Sequence, residues 1–130
     1  MGFSSRDVLH GVFAVVVDRD KERRQLVTGL LRYCGALVSP AETPDGAFAI
    51  MRLLKPDVIV VDWSSPNDDA LAFIRGVRAL DAEDGGMVPA IAIGEGSDGT
   101  DLARASGVDM YLTRPLQTAR LCEAINELLT

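Results

Sequence analysis

The segment VVVDRD, residues 15–20, places two aspartates immediately beyond three β-branched valines. Such a valine run reads as a buried strand, and acids at the end of a strand suit a divalent cation held by oxygen ligands. Arg19, however, stands between Asp18 and Asp20. A further acid, Asp62, follows the apolar run VIVV at 58–61, and a cation, Arg114, comes shortly after MYL at 110–112. A carboxylate in such a place can attack phosphorus or ligate a metal, and a nearby guanidinium can neutralise anionic oxygens. His10, the only histidine, lies in the N-terminal tail, so no histidine-based metal site or nucleophile is available. Cys34 and Cys122 each fall on the apolar side of a predicted helix and are expected to be buried, reduced thiols.

The elements that must position these residues can be read from hydropathy. Apolar runs occur at 13–17, 36–38, 58–61, 90–93 and 110–112, without polar alternation, as parallel strands covered on both faces require. Helical periodicity fills the gaps. Leu26, Leu30 and Leu31 share a face in 21–34, which Gly35 closes. Thr43 and Pro44 read as N-cap and first helical residue of a segment carrying Ala47, Ile50, Met51 and Leu54, ended by Lys55-Pro56. Leu71, Ile74, Val77 and Arg78 mark a third helix, 100–106 a short fourth one, and Leu121, Ala124, Ile125 and Leu128 the last. Alternating βα units predict an α/β fold, a doubly wound five-stranded parallel sheet in the order 2-1-3-4-5. That order reverses between strands 1 and 3, so Asp18 and Asp62 are expected side by side at the carboxyl edge.

A chain of 130 residues suits one domain, expected at 12–130 behind a tail at 1–11. Thirteen basic against nineteen acidic side chains, a net charge of −6, argue against nucleic acid or an anionic membrane as partner. No apolar stretch reaches transmembrane length, and the N-terminus lacks the apolar core of a signal peptide. Arg6 stands where a myristoylation motif needs Ser or Thr. A cytoplasmic protein is expected.

From Phe13 to Leu129 the chain resembles the receiver domains of two-component response regulators, the flavodoxin-like group that includes the chemotaxis response regulator. The resemblance is carried by DVIVVDWSSPNDDALAFIRGVR at 57–78, which looks like the phosphoacceptor strand, loop and third helix, and by YLTRPL at 111–116. It implies that Asp62 accepts a phosphoryl group from a histidine kinase or phosphotransfer protein, and that Mg2+ is held by Asp18, Asp62 and the Ser64 carbonyl. It further implies that Arg114 pairs with the phosphate in place of a lysine, that Tyr111 is the aromatic that changes rotamer with the signal, and that Arg114-Pro115 is cis. Output would pass to a downstream target protein through the face made by helix 4, strand 5 and helix 5, without catalysis by the domain itself.

Three residues depart from the family pattern, the first being Arg114 in place of the lysine. Arg19 occupies the place of the second acid, and Gly94 the place of a hydroxyl residue. The usual pocket carries three carboxylates and one lysine and is net negative, whereas Asp18, Asp62, Arg19 and Arg114 sum to zero. Glu95 would restore one negative charge if it pointed inward. A unit charge pair at about 4 Å and an effective dielectric of about 20 is worth about 4 kcal/mol, so magnesium binding is expected to be weak. Arg19 is expected to contact Asp62, Asp18 or both and to hold the site in one state, the alternative being a solvated side chain turned away from the pocket. The alternatives are a phosphorylation-competent single-domain response regulator and, from GEGSDG at 94–99, a dinucleotide-binding enzyme domain. Arg23 and Arg24 read as a solvated helix face, and Asp68 and Asp69 as acids complementing a helix dipole.

Overall fold

A computed structural model describes residues 7–64 and 68–130, the Thr118 side chain excepted, so Arg6 and the tip of the loop after Asp62 lie outside the described residues. The elements are β1 (Phe13–Val17), α1 (Lys21–Tyr33), β2 (Leu37–Ala41), α2 (Pro44–Leu53), β3 (Val58–Asp62), α3 (Asp68–Arg78), β4 (Ala90–Gly94), α4 (Thr100–Ser106), β5 (Met110–Thr113) and α5 (Thr118–Leu129). The five strands are parallel, in the order β2-β1-β3-β4-β5. This is the flavodoxin-like arrangement expected from the sequence.

The strand residues divide between two cores by the two-residue period of the β-pleat. Val15, Val17, Ile59, Val61 and Ala92 face α2, α3 and α4, whereas Ala14, Val16, Val58, Val60, Ile91 and Ile93 face α1 and α5. Each fully buried Val, Leu, Ile or Phe contributes about 1.5–3 kcal/mol, so neither face can shift register without losing its core. Thr43 caps α2 by accepting from Gly46 N at 3.1 Å, with Pro44 at the first helical position, and Gly35 and Gly107 adopt positive φ where α1 and α4 stop. The Arg114-Pro115 bond is cis.

Several expectations need correction. β2 spans Leu37–Ala41 rather than 36–38, and it tolerates Pro40 because it is an edge strand. Leu26 and Leu54 are exposed: Val27, Thr28 and Leu31 form the buried stripe of α1, and α2 has already ended when Leu54 is reached. Within the expected tail, Leu9 is fully buried and its N–H donates to Cys34 O at 2.8 Å. Cys34 and Cys122 are buried as foreseen but are joined in a disulfide, not reduced thiols. The end of α1 and the middle of α5 share one core, which brings their Cα atoms to 6.7 Å, within disulfide range. Among the described residues no helix is long and apolar enough to cross a membrane.

Candidate functional site

Strand register creates the site. Val17 lies opposite Val61, so Asp18 and Asp62, one residue further on, stand side by side at the carboxyl edge. Asp18 is almost fully buried, and its Oδ1 accepts the Asp20 N–H at 2.9 Å. Asp20 turns the other way and caps α1, its carboxylate accepting the Arg23 N–H at 2.8 Å. The two acids of VVVDRD thus have separate tasks, one in the pocket and one starting a helix.

The guanidinium between the carboxylates belongs to Arg23. Its Nε and Nη2 donate to the two oxygens of Asp18, both at 3.1 Å, and Nη2 also donates to Asp62 Oδ2 at 3.2 Å. The hydrogen bond to Asp18, opposed by burial and helped by the charge of Asp62, raises the Arg23 pKa above the ordinary guanidinium value. Arg24 Nη1 donates to the Asp18 carbonyl oxygen at 2.9 Å and also reaches the Arg19 carbonyl. Neither arginine belongs to a solvated helix face, contrary to the sequence reading. A helical signal for Arg23 existed: Cα–Cβ bonds tilt toward the helix N-terminus, so a long side chain in the first turn of α1 points back at the end of β1.

Arg114 closes the other side. Its Nη1 lies 3.1 Å from Asp62 Oδ1, 3.4 Å from Glu95 Oε1 and 3.3 Å from Ser64 Oγ, and Nη2 lies 3.6 Å from Asp18 Oδ2. The Ser64 hydroxyl and N–H both donate to Asp62 Oδ1, at 2.7 and 3.2 Å. Each oxygen of Asp62 therefore has its own guanidinium. Asp18, Asp62, Arg23 and Arg114 sum to zero, as the sequence arithmetic required, but with a different arginine. Glu95 reaches Arg114 from an exposed position.

Arg19 does not contact Asp18 or Asp62 as expected. It pairs with Asp69, at a point where both side chains are well exposed. The reason is local: Arg19 precedes the helix and projects outward across a pocket of about 330 Å3, while Arg23 projects inward. Asp69, expected only to complement the dipole of α3, is thereby also an ion-pair partner.

Two glycines of GEGSDG, Gly94 and Gly99, leave room for neighbouring aromatic rings. Tyr111 lies against Gly94, and both Trp63 and Tyr111 lie against Gly99, where a side chain would meet them. The Tyr111 hydroxyl donates to Gly96 O at 2.8 Å, and burial raises its pKa, against the influence of Arg114. The helix after the motif has seven residues. Among the described residues no group of three acid, histidine or cysteine side chains converges on a point.

No protein-family model matches the chain. It is 30% identical over 115 residues to a 14.6 kDa protein encoded in the sodA1 3' region of Leptolyngbya boryana, covering 87% of this chain and 86% of that one. It is 27% identical to the chemotaxis protein CheY of Bacillus subtilis, covering 88% and 95% of the two chains. Against the KDP operon transcriptional regulatory protein KdpE of Escherichia coli it is 29% identical over 82% of this chain but spans only 46% of that protein. Among solved structures, the Vibrio cholerae chemotaxis response regulator CheY4 superposes with a TM-score of 0.80 at 22% identity, over 91% and 98% of the chains. The receiver domain of the Francisella response regulator 1452 gives 0.77 at 24%, over 92% and 97%.

Proposed function

Because the chain belongs to the receiver-domain family of two-component response regulators, and so to phosphorelay signalling, we propose that it is a receiver whose acid pocket is held by its own arginines and whose output is protein docking. Receiver domains interact with histidine kinases and downstream effectors, typically bind Mg2+ at the phosphorylation site, and are generally not catalysts. In this chain the corresponding candidates are Asp62 as acceptor, Asp18 as pocket acid, Ser64 beside it and Arg114 as phosphate partner.

One observation carries the reading. Arg23 donates to both carboxylates, at 3.1 and 3.2 Å, and supplies from within the chain the positive charge that a metal would bring. An arginine–carboxylate pair of this fork geometry is directional as well as electrostatic. Magnesium would have to displace it from a pocket that is already neutral, so the residues present do not suit a tightly held divalent ion. The same contact occupies lone pairs that Asp62 needs for attack on a phosphodonor. The proposed resting state is therefore metal-poor and unphosphorylated, with a downstream protein reading the surface of α4, β5 and α5. Phosphorylation competence is the second reading. It is favoured by Arg114 and the Ser64 hydroxyl lying against one Asp62 oxygen, where they could equally neutralise a transferred group.

Incubation with acetyl phosphate and magnesium, followed by intact-mass measurement, separates the two. The parent is expected to gain little phosphate and Arg23→Ala to gain more, with Asp62→Asn abolishing the difference. Rapid, near-complete labelling of the parent at Asp62 would favour the second reading.

A further inference from the structure

Tyr111 sits in space that a side chain at position 94 would take. A Cβ built on Gly94 would overlap the Tyr111 hydroxyl oxygen and lie 2.7 Å from Cζ. Real Cβ atoms essentially never come within 3.0 Å of a heavy atom, and the atoms met here are the hydroxyl oxygen and Cζ at the outer end of the Tyr111 ring, so a side chain at 94 and the ring could not both keep this place. Gly99 repeats the arrangement: a Cβ there would lie 2.8 Å from Trp63 Cδ1 and 3.1 Å from the Tyr111 hydroxyl. Neither glycine has a positive φ, so both positions need the absence of a side chain rather than backbone freedom.

The contacts form a closed set. Tyr111 pairs in register with Ala92, and its hydroxyl donates to Gly96 O at 2.8 Å. Trp63 is 3% exposed, directly follows Asp62, and donates its backbone N–H to Ile93 O at 2.7 Å. Arg114 donates its backbone N–H to Gly94 O at 2.8 Å. The phenol therefore lies between the loop that leads into α4 and the strand end that carries Arg114, held by packing on one side and by a hydrogen bond on the other.

We propose that Tyr111 is a fixed pin: its ring stays lodged over Gly94 whatever the state of Asp62, and so holds the surface of α4, β5 and α5 in one arrangement. The inference deepens the reading given above and rests on it for the use of that surface, but its mechanism is steric and independent of the charges in the acid pocket. A residue with a side chain at 94 would have to share this volume with the ring. Glycine removes the competition, and the ring needs no event at Asp62 to enter.

The test is solution NMR on the isotopically labelled full chain, before and after incubation with acetyl phosphate and magnesium, with intact mass recorded on the same samples. Cross-peaks between the Tyr111 ring and the Gly94 and Gly99 α-protons are expected in both samples at equal intensity. Their absence from the first sample, or their loss in a sample that mass shows to be phosphorylated, overturns the pin. Phosphorylation with the cross-peaks retained overturns the metal-poor resting state and leaves the pin standing. Gly94→Ala is expected to expel the ring, and alkaline difference titration against the matching Tyr111→Phe chain should then show the Tyr111 phenol titrating at lower pH than in the parent. A folded Gly94→Ala chain that keeps the ring contacts and the parent titration refutes the proposal. If that variant does not fold, the parent cross-peaks decide.

Discussion

At the amino edge of the sheet, Arg78 directs its donors mainly at backbone. Its Nε bonds Gly107 O at 3.0 Å, Nη1 bonds Gly86 O and Val88 O at 3.0 and 2.7 Å, and Nη2 bonds the Asp109 carboxylate at 3.1 Å. Asp109 in turn accepts the Ala90 N–H at 2.8 Å, so one arginine ties together the loops before β4 and β5. At the carboxyl edge, Arg23 and Arg114 direct theirs chiefly at Asp18 and Asp62. The chemistry of the donor is the same, and the acceptor decides its consequence. Carbonyls that lose their arginine are left unpaired and cost stability. Carboxylates that lose theirs are left with negative charge, which a dissolved cation can answer.

The largest effect should come from the amino edge. Arg78→Ala removes four hydrogen bonds at once and is expected to cost about 3 kcal/mol, read as a lower urea midpoint, while the response to magnesium stays unchanged. A loss no greater than that of Arg23→Ala would erase the distinction between the two edges. Next comes Arg23→Ala itself. It should tighten magnesium binding at least roughly tenfold, equivalent to about 1.4 kcal/mol, followed through the fluorescence of Trp63 beside Asp62. Unchanged affinity would mean that Arg23 yields its place without cost. The smallest effect belongs to Arg19→Ala. Its pair with Asp69 is 67% and 61% exposed, so it should be worth about 0–1 kcal/mol and leave magnesium binding as it was. A change comparable to that of Arg23→Ala would restore Arg19 to the pocket and sharpen the comparison against the present geometry.

Most of the fold was legible because its signals are local. Thr43-Pro44 caps α2, Gly35 and Gly107 stop α1 and α4, and unalternated runs such as VIVV are buried on both faces, each through the geometry of a few neighbouring residues. The candidate site was legible in part. Asp18 and Asp62 follow from strand order alone, since any doubly wound sheet with this order brings those strand ends together. β2 was misjudged because Ser39 and Pro40 interrupt its apolar run, although the expected strand order already put it at the edge, where proline is tolerated.

The sequence by itself determined the α/β alternation, the switch point with its two acids, and a site whose charges cancel. Tertiary structure decided which arginine does the cancelling. Arg19 and Arg23 lie four residues apart, and composition cannot tell them apart. The direction of each side chain depends on the capping of α1 by Asp20 and on the angle at which that helix leaves β1. Tertiary structure also decided that Cys34 meets Cys122 across 88 residues, and that the Tyr111 ring lies in the space Gly94 leaves open. Pairing between distant segments and competition for one volume arise only when helices pack on both faces of the sheet, and no local periodicity records them.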